Sequence, residues 1–221
     1  MFARLKKALS SAVIETDTTD GLSAWGVSRM LSRHRLAGGA TVIEGLLLER
    51  PFKAGCAPSS RSYITGVELM ARAELGLRED VNIIVMHRAL KRALDKVADG
   101  VFSEAVDGVR TTAMPLPEEI AWLSMYRDVG WPGPTPDFWA RYSVLTDSLE
   151  AAREWVDADA IEALCASPAA LRPMTPFLMA VTRGKLYLRL QLEAPDDGAV
   201  SHHVLDTFEQ VGGRALQLFG R

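Results

Sequence analysis

Residues 186–193 read Leu-Tyr-Leu-Arg-Leu-Gln-Leu-Glu, in which leucine alternates strictly with polar or amphipathic side chains. Successive side chains of a β-strand point to opposite faces, so this pattern predicts a strand with one buried face and one wet face. Residues 177–182 are mostly apolar, and residues 183–185, Arg-Gly-Lys, separate the two runs. We therefore predict an antiparallel hairpin whose leucines lie against a covering layer of helices.

Four further strands are predicted outside this hairpin. Residues 41–50 are rich in β-branched and aliphatic side chains, and residues 81–86 form a short, dense apolar run. Residues 63–75 fit a period of two but also admit a helix, and the opening Tyr-Ile-Thr with Gly66 favours a strand. Residues 138–145 predict the fourth of these strands, and residues 55–62 predict a small polar loop.

Amphipathic helices are predicted where apolar residues recur every three or four positions. The predicted helices cover residues 1–14, 22–36, 88–98, 117–127, 149–164 and 201–218. The helix at 117–127 begins with proline and two glutamates, which suit the first turn of a helix.

Residues 130–136, Gly-Trp-Pro-Gly-Pro-Thr-Pro, contain three prolines and cannot continue a helix. We predict a linker here between two regions. Region 1–130 holds the N-terminal helices and a three-strand/helix unit, and region 137–221 holds a strand-helix-hairpin-helix unit. The predicted class is α+β, with antiparallel sheets covered by amphipathic helices. Two similar small subdomains remain an open alternative.

Residues 136–221 resemble the C-terminal region of several uncharacterised bacterial protein families. The resemblance lies in Asp137-Phe138 ahead of a strand and in residues 149–152, Leu-Glu-Ala-Ala, at a helix start. It continues in the Arg-Gly-Lys hairpin before Leu-Tyr-Leu-Arg-Leu and in the closing amphipathic helix. This resemblance implies a bacterial protein with the α+β layout, and it implies no activity.

Composition excludes several broad classes of protein. Among 221 residues, 48% are hydrophobic and 24% charged, which is typical of a globular protein and not of a disordered one. A net charge of -3 argues against nucleic-acid binding. No apolar run reaches the roughly 18 residues that a membrane helix needs, and no secretory signal pattern is present. Two distant cysteines favour a reducing compartment, so we predict a cytoplasmic location.

The N-terminal helix carries three cations, Arg4, Lys6 and Lys7, beside an aliphatic stripe. Such a helix could make weak peripheral contact with an anionic membrane, at roughly 1 kcal/mol per cation. The alternatives are docking on its own protein or on a second copy.

Cys56 is the one candidate nucleophile. It lies in the predicted polar loop, between Lys53 and Arg61, and nearby cations can lower a thiol pKa. The alternative is an ordinary loop cysteine beside surface cations. Cys165 falls on an apolar helix stripe and is predicted to be a core residue.

Histidines offer a candidate metal site. His202 and Asp206 have the i, i+4 spacing that places two ligands on one helix face, and His87 could supply a third. His203 points elsewhere because adjacent helical residues lie about 100° apart. The alternative is a histidine pair at a helix entry with a surface aspartate. No nucleotide-binding or nucleophile-elbow motif is present, so we assign no catalytic, cofactor-binding or metal-ligating residue and no cofactor.

Two other features of the sequence each allow two interpretations. Aromatic residues lie within and just after the linker and could anchor an interface or pin the linker to the core: Trp131, Phe138, Trp139 and Tyr142. Gly212-Gly213 could kink the last helix or admit a close neighbour.

The leading functional hypothesis is a non-catalytic protein-interaction or self-associating module, a homo-oligomer that uses a half-wet sheet edge and its terminal helices. The alternatives are a cysteine-dependent hydrolase using Cys56 and a carrier for a small apolar ligand.

Overall fold

The computed structural model describes residues 21–36, 39–106, 118–166, 174–193 and 198–221, with backbone only for 101–106. The helix predicted over 1–14 lies outside these residues. In the described part, the strands are β1 (Ser32–Arg35), β2 (Thr41–Leu47), β3 (Arg50–Pro58), β4 (Val67–Ala73), β5 (Ile83–His87), β6 (Arg127–Val129), β7 (Tyr142–Thr146), β8 (Phe177–Thr182) and β9 (Lys185–Leu192). The helices are α1 (Gly21–Ser28), α2 (Arg88–Val106), α3 (Glu118–Met125), α4 (Pro136–Arg141), α5 (Leu149–Trp155), α6 (Ala158–Cys165) and α7 (Gly198–Phe219).

All nine strands form one antiparallel sheet in the order β1-β2-β3-β4-β9-β8-β5-β7-β6. The predicted α+β class is confirmed. Strands from before and after residues 130–136 interleave, because β4 pairs with β9 and β5 lies between β8 and β7. Residues 130–136 therefore do not separate two sheets. The half-wet strand β9 lies at the centre of the sheet, so it is not an edge strand.

The predicted hairpin over β8 and β9 is confirmed. Thr182 pairs with Lys185, and the two residues between them, Arg183 and Gly184, have φ of 51° and 73°. Positive φ at both positions is the type I′ turn that suits the twist of a hairpin. A Cβ on Gly184 would sit 3.0 Å from the carbonyl oxygen of Leu77, so the close neighbour also favours glycine.

The four leucines of β9 define what we call the inner face of the sheet, and all four are buried. Burying one leucine side chain contributes roughly 1.5–3 kcal/mol, so a one-residue slip that exposed all four would be strongly disfavoured. Helix α7 crosses this face and is flanked by α1, α5 and α6. Its buried apolar stripe is Val204, Leu205, Phe208, Val211, Ala215 and Phe219.

The opposite side, which we call the outer face, has a second and smaller core. Helices α2 and α3 pack there over β5, β7 and β8. This core contains Ile84, Met86, Leu90, Leu94, Ile120, Trp122, Leu145, Leu178 and Ala180. The polar neighbours of the β9 leucines, Tyr187, Arg189 and Gln191, also lie on the outer face and are half-buried.

Several predicted elements are confirmed, with shifted ends. Residues 63–75 contain β4, residues 81–86 overlap β5, residues 88–98 begin α2, and residues 201–218 lie within α7. The strand interpretation of 63–75 was therefore the correct alternative.

The helix predicted over 22–36 is wrong beyond Ser28. Helix α1 ends in a Schellman motif, in which the Leu31 N–H donates to the Gly26 carbonyl at 2.9 Å and the Met30 N–H to the Val27 carbonyl at 3.1 Å. Met30 has a φ of 55°, which turns the chain into β1.

The predicted loop at 55–62 is wrong over its first residues, because 50–58 form strand β3. Strand β2 ends at Leu47, and a two-residue turn of Leu48 and Glu49 leads directly into β3. Both turn residues have positive φ, 53° and 59°. Leucine and glutamate are unusual in such a turn, so the hairpin carries none of the glycine or asparagine signals that reveal one.

The strand predicted over 138–145 begins too early. Thr135 caps helix α4, since its Oγ1 accepts a hydrogen bond from the Phe138 N–H at 3.3 Å, and Pro136 occupies the first turn. The helix predicted over 149–164 is two helices, because Asp157 caps α6 by accepting from the Ala160 N–H at 3.0 Å. Strand β6 was not predicted.

Candidate functional site

Cys56 does not lie in a loop between two cations. It is on β3 with its side chain buried in the inner core. Lys53 instead binds Glu44, Nζ to Oε2 at 2.6 Å, and Arg61 binds Glu119, Nε to Oε1 at 3.3 Å. The cations that were expected to favour a thiolate are thus paired with carboxylates. Burial raises the pKa of the other thiol, Cys165, which packs against the inner core.

The candidate metal ligands of α7 hold neighbouring helices in place. His202 Nε2 donates to the Gly21 carbonyl at the start of α1, at 2.7 Å. Asp206 Oδ1 accepts from Trp25 Nε1 at 2.8 Å and from Arg29 Nη2 at 2.7 Å. These bonds fasten α1 to α7, so both side chains already have structural partners.

His87 and His203 lie apart from that pair. His203 Nε2 donates to the Ala163 carbonyl of α6 at 2.9 Å. His87 is fully buried between the rings of Tyr142 and Phe177, and its Nδ1 donates to the Thr175 carbonyl at 2.6 Å. Within the described residues, no group of three His, Cys, Asp or Glu side chains could hold a metal ion.

The aromatic residues within and just after the linker pin it to the core. Phe138 and Tyr142 are fully buried, while Trp139 and Trp131 are partly buried against the inner core. The two tryptophan rings meet edge to face at 5.0 Å. The geometry therefore supports a role for these aromatic residues in holding the linker to the core, and not the alternative of an interface anchor.

Gly212 admits a close neighbour. A Cβ on Gly212 would lie 3.2 Å from Leu48 Cδ1 and 3.3 Å from Leu186 Cδ2. Leu48 of the β2–β3 turn therefore lies directly against the backbone of α7. At Gly213 the nearest such atom would be 4.0 Å away, an ordinary contact.

Two buried carboxylates and two half-buried guanidinium groups form a cluster that the sequence analysis missed, and we call it the charge cluster: Arg61, Glu68, Glu119 and Arg189. Arg189 on β9 bonds Glu68 on β4 through Nη1 and Glu119 on α3 through Nε at 3.1 Å. Ser59 Oγ donates to the second Glu68 oxygen at 2.8 Å. The cluster thus links α3 to the outer face of the sheet.

The charge cluster balances two carboxylates with two guanidinium groups, as burial requires. Burial alone would lower the pKa of Arg189, but the charges of Glu68 and Glu119 outweigh it and raise that pKa. Burial, and next the negative charge of Glu119, raise the pKa of the neighbouring Tyr63. No local motif could have revealed the cluster, because Glu68 and Arg189 are 121 residues apart.

Three large apolar side chains are exposed near the end of the sheet where β1 begins and β2 ends, and we call them the apolar corner: Val27, Met30 and Leu46. Their exposed fractions are 59%, 95% and 65%. Strand β1 pairs Ser32 with Glu44, and the preceding Leu31 lies against Gly45, so the α1–β1 turn that holds Met30 is close to the end of β2. The Val27 carbonyl accepts a hydrogen bond from the Met30 N–H at 3.1 Å, so these two residues belong to one turn.

Comparison with known proteins finds no matching family model, no matching curated protein and no matching solved structure. Among the residues that the structure describes, none of the helices is long and apolar enough to cross a membrane.

Proposed function

We propose that this protein is a non-catalytic protein-interaction module that binds its partner at the apolar corner. The observation that carries the proposal is the exposure of three large apolar side chains, Val27, Met30 and Leu46, near one end of the β1–β2 pair. Single exposed apolar side chains are normal on protein surfaces, whereas grouped ones are typical of interaction sites.

Backbone strain at the apolar corner supports the proposal. Met30 occupies the C′ position of the Schellman motif, where glycine is usual, and its φ of 55° is strained for a residue with a Cβ. Such a conformation costs about 1 kcal/mol. The side chain is 95% exposed, so it recovers almost none of that cost by packing within the chain. Contact with a partner would bury this side chain.

Helix α1, which ends at the apolar corner, is fastened to α7. Arg29, the residue that follows α1, has its guanidinium 3.9 Å from the Trp25 ring centre, and its Nε lies 2.7 Å from Glu209 Oε2 on α7. Together with the bonds of Asp206, these contacts fix α1 on α7. A surface that is already ordered loses less entropy when it binds.

A photo-reactive amino acid placed at Met30 tests the proposal, with the same amino acid at Met125 as control. Met125 is 64% exposed at the end of α3, the helix that packs over the outer face far from β1 and β2 in the strand order. We expect irradiation of cells to give one discrete adduct of higher mass from position 30 and none from position 125. Equal labelling at both positions, or no adduct at position 30, would contradict the proposal.

A further inference from the structure

We infer that a cavity in the inner core binds one small, uncharged apolar molecule of about the size of dioxygen. This inference goes beyond the proposed function, because the cavity lies among α5, α6 and α7 and the apolar corner lies at the end of α1. The two sites share no residue. Either one can therefore fail its test without affecting the other.

The cavity lies at the break between α5 and α6. Helix α5 ends at Trp155 and Asp157 caps α6, so two short helices instead of one long helix cover the inner face here. The space is bounded by β5 and β8 on the side of the sheet and by α5, α6 and α7 on the other side. Its lining residues are all buried: Val85, Trp155, Val156, Ala160, Leu164, Met179 and Val211.

The chemistry of the lining favours an apolar guest over a water molecule. The one polar group among the lining side chains is the indole N–H of Trp155, and it already donates to the Val211 carbonyl at 2.9 Å. A buried water needs about two to four polar partners, whereas cavities that are lined by apolar atoms take apolar guests. The lining therefore offers a guest dispersion contacts in place of hydrogen bonds.

The size of the cavity limits the guest. Its volume is about 10 Å³, which is room for one body of about the size of a water molecule. Diatomic gases such as dioxygen have this size, whereas a fatty acid or an aromatic ring is too large. The alternative of a carrier for a small apolar ligand is thus restricted to guests of this kind.

A cleft next to the cavity provides a route from solvent. This cleft has a volume of about 380 Å³ and lies between α6, α7 and Leu48. Ala160 and Val211 line both the cleft and the cavity, so these two side chains form part of the partition between them. A molecule as small as dioxygen needs only a brief displacement of such side chains to pass.

Methyl NMR of the full chain, first under nitrogen and then under dioxygen at the same pressure, tests the inference. Dioxygen is paramagnetic, so it shifts and broadens the signals of the methyl groups that it contacts. We expect the larger shifts at the methyl groups that line the cavity: Val85, Val156, Leu164, Met179 and Val211. The control methyl groups are buried in the outer core and should shift less: Leu90, Leu94, Leu145 and Leu178.

Filling the cavity provides the sharper test. Ala160→Val adds methyl groups to this space and should abolish the excess shifts, whereas Ala163→Val, on the same helix but outside the lining, should retain them. Val211→Ile fills the cavity from α7 and replaces Ala160→Val if circular dichroism shows that the latter does not fold. Equal shifts in the inner and outer cores of the wild type would overturn the inference. So would excess shifts that persist in a folded filled variant, or nuclear Overhauser effects from water to the cavity methyl groups.

Discussion

Arg189 depends on its surroundings because it is a half-buried cation shared by two buried carboxylates, Glu68 and Glu119. A buried charge group contributes little net stability when it is intact, yet removing one member leaves the others without compensation. The cluster therefore strongly constrains how α3 packs on the outer face of the sheet.

Substitution Arg189→Met should lower the free energy of unfolding by about 3 kcal/mol, because it leaves Glu68 and Glu119 buried without their shared cation. Urea denaturation at neutral pH measures the change. The matched control is Arg92→Met, which removes an exposed arginine of α2. An equally small change for both variants would contradict the structural role of the cluster.

His87 should make the fold sensitive to acid. Burial, and also the charge of Arg141, lower the pKa of His87 below its ordinary value of 6.5. Below pH 6.5 the unfolded chain binds a proton at this residue while the folded chain does not. Stability is therefore lost as the pH falls from about 6.5 towards the lowered pKa, by at most about 1.4 kcal/mol per pH unit.

The variant His87→Phe isolates this effect, since phenylalanine keeps a ring between Tyr142 and Phe177 and does not titrate. Urea denaturation of both proteins at pH 7.5, 6.5 and 5.5 provides the comparison. We expect the variant to lose less stability than the wild type over that range. If the free energy of unfolding fell equally in both proteins, carboxylates alone would account for the acid sensitivity.

At the scale of elements, α7 and the β2–β3 turn are coupled by one contact. Leu48 lies against Gly212, and the turn that presents Leu48 has two non-glycine residues with positive φ. The position of this turn is therefore set by packing on α7, and local preference alone would not hold it.

Two adjacent glycines allow this coupling to be measured. Gly213→Ala should raise the free energy of unfolding by about 0.5–1 kcal/mol, because alanine favours the helix and meets only an ordinary contact. Gly212→Ala should gain less or lose stability, since its Cβ would force Leu48 and Leu186 to shift. Thermal denaturation compares the stability of the two variants. A Gly212→Ala protein that is as stable as Gly213→Ala would show that the β2–β3 turn can shift away from α7 without loss of stability.

At the scale of the whole molecule, the sheet joins regions that are far apart in sequence. Strand β9 pairs with β4 from the first region, and β8 pairs with β5. A half of the chain on its own would expose the unpaired edges of these strands and much of the inner core.

Fragments 1–130 and 137–221 should each lack a cooperative unfolding transition, because each leaves those strands unpaired. When the two are mixed, we expect a transition to appear. Circular dichroism during urea titration measures all three samples. A cooperative transition in either fragment alone would show that the region is an independent folding unit.

The sequence by itself determined the α+β class, the β8–β9 hairpin, the strand in residues 63–75 and the long helices α2 and α7. These depend on local periodicity and on the Arg183-Gly184 turn, signals that lie within a few residues of one another. Only the tertiary structure decided the strand order, the charge cluster around Arg189 and the apolar corner at Met30. The physical reason is that each of these depends on contacts between residues distant in sequence. An alternating pattern shows which face of a strand is polar, but not which side chains meet there.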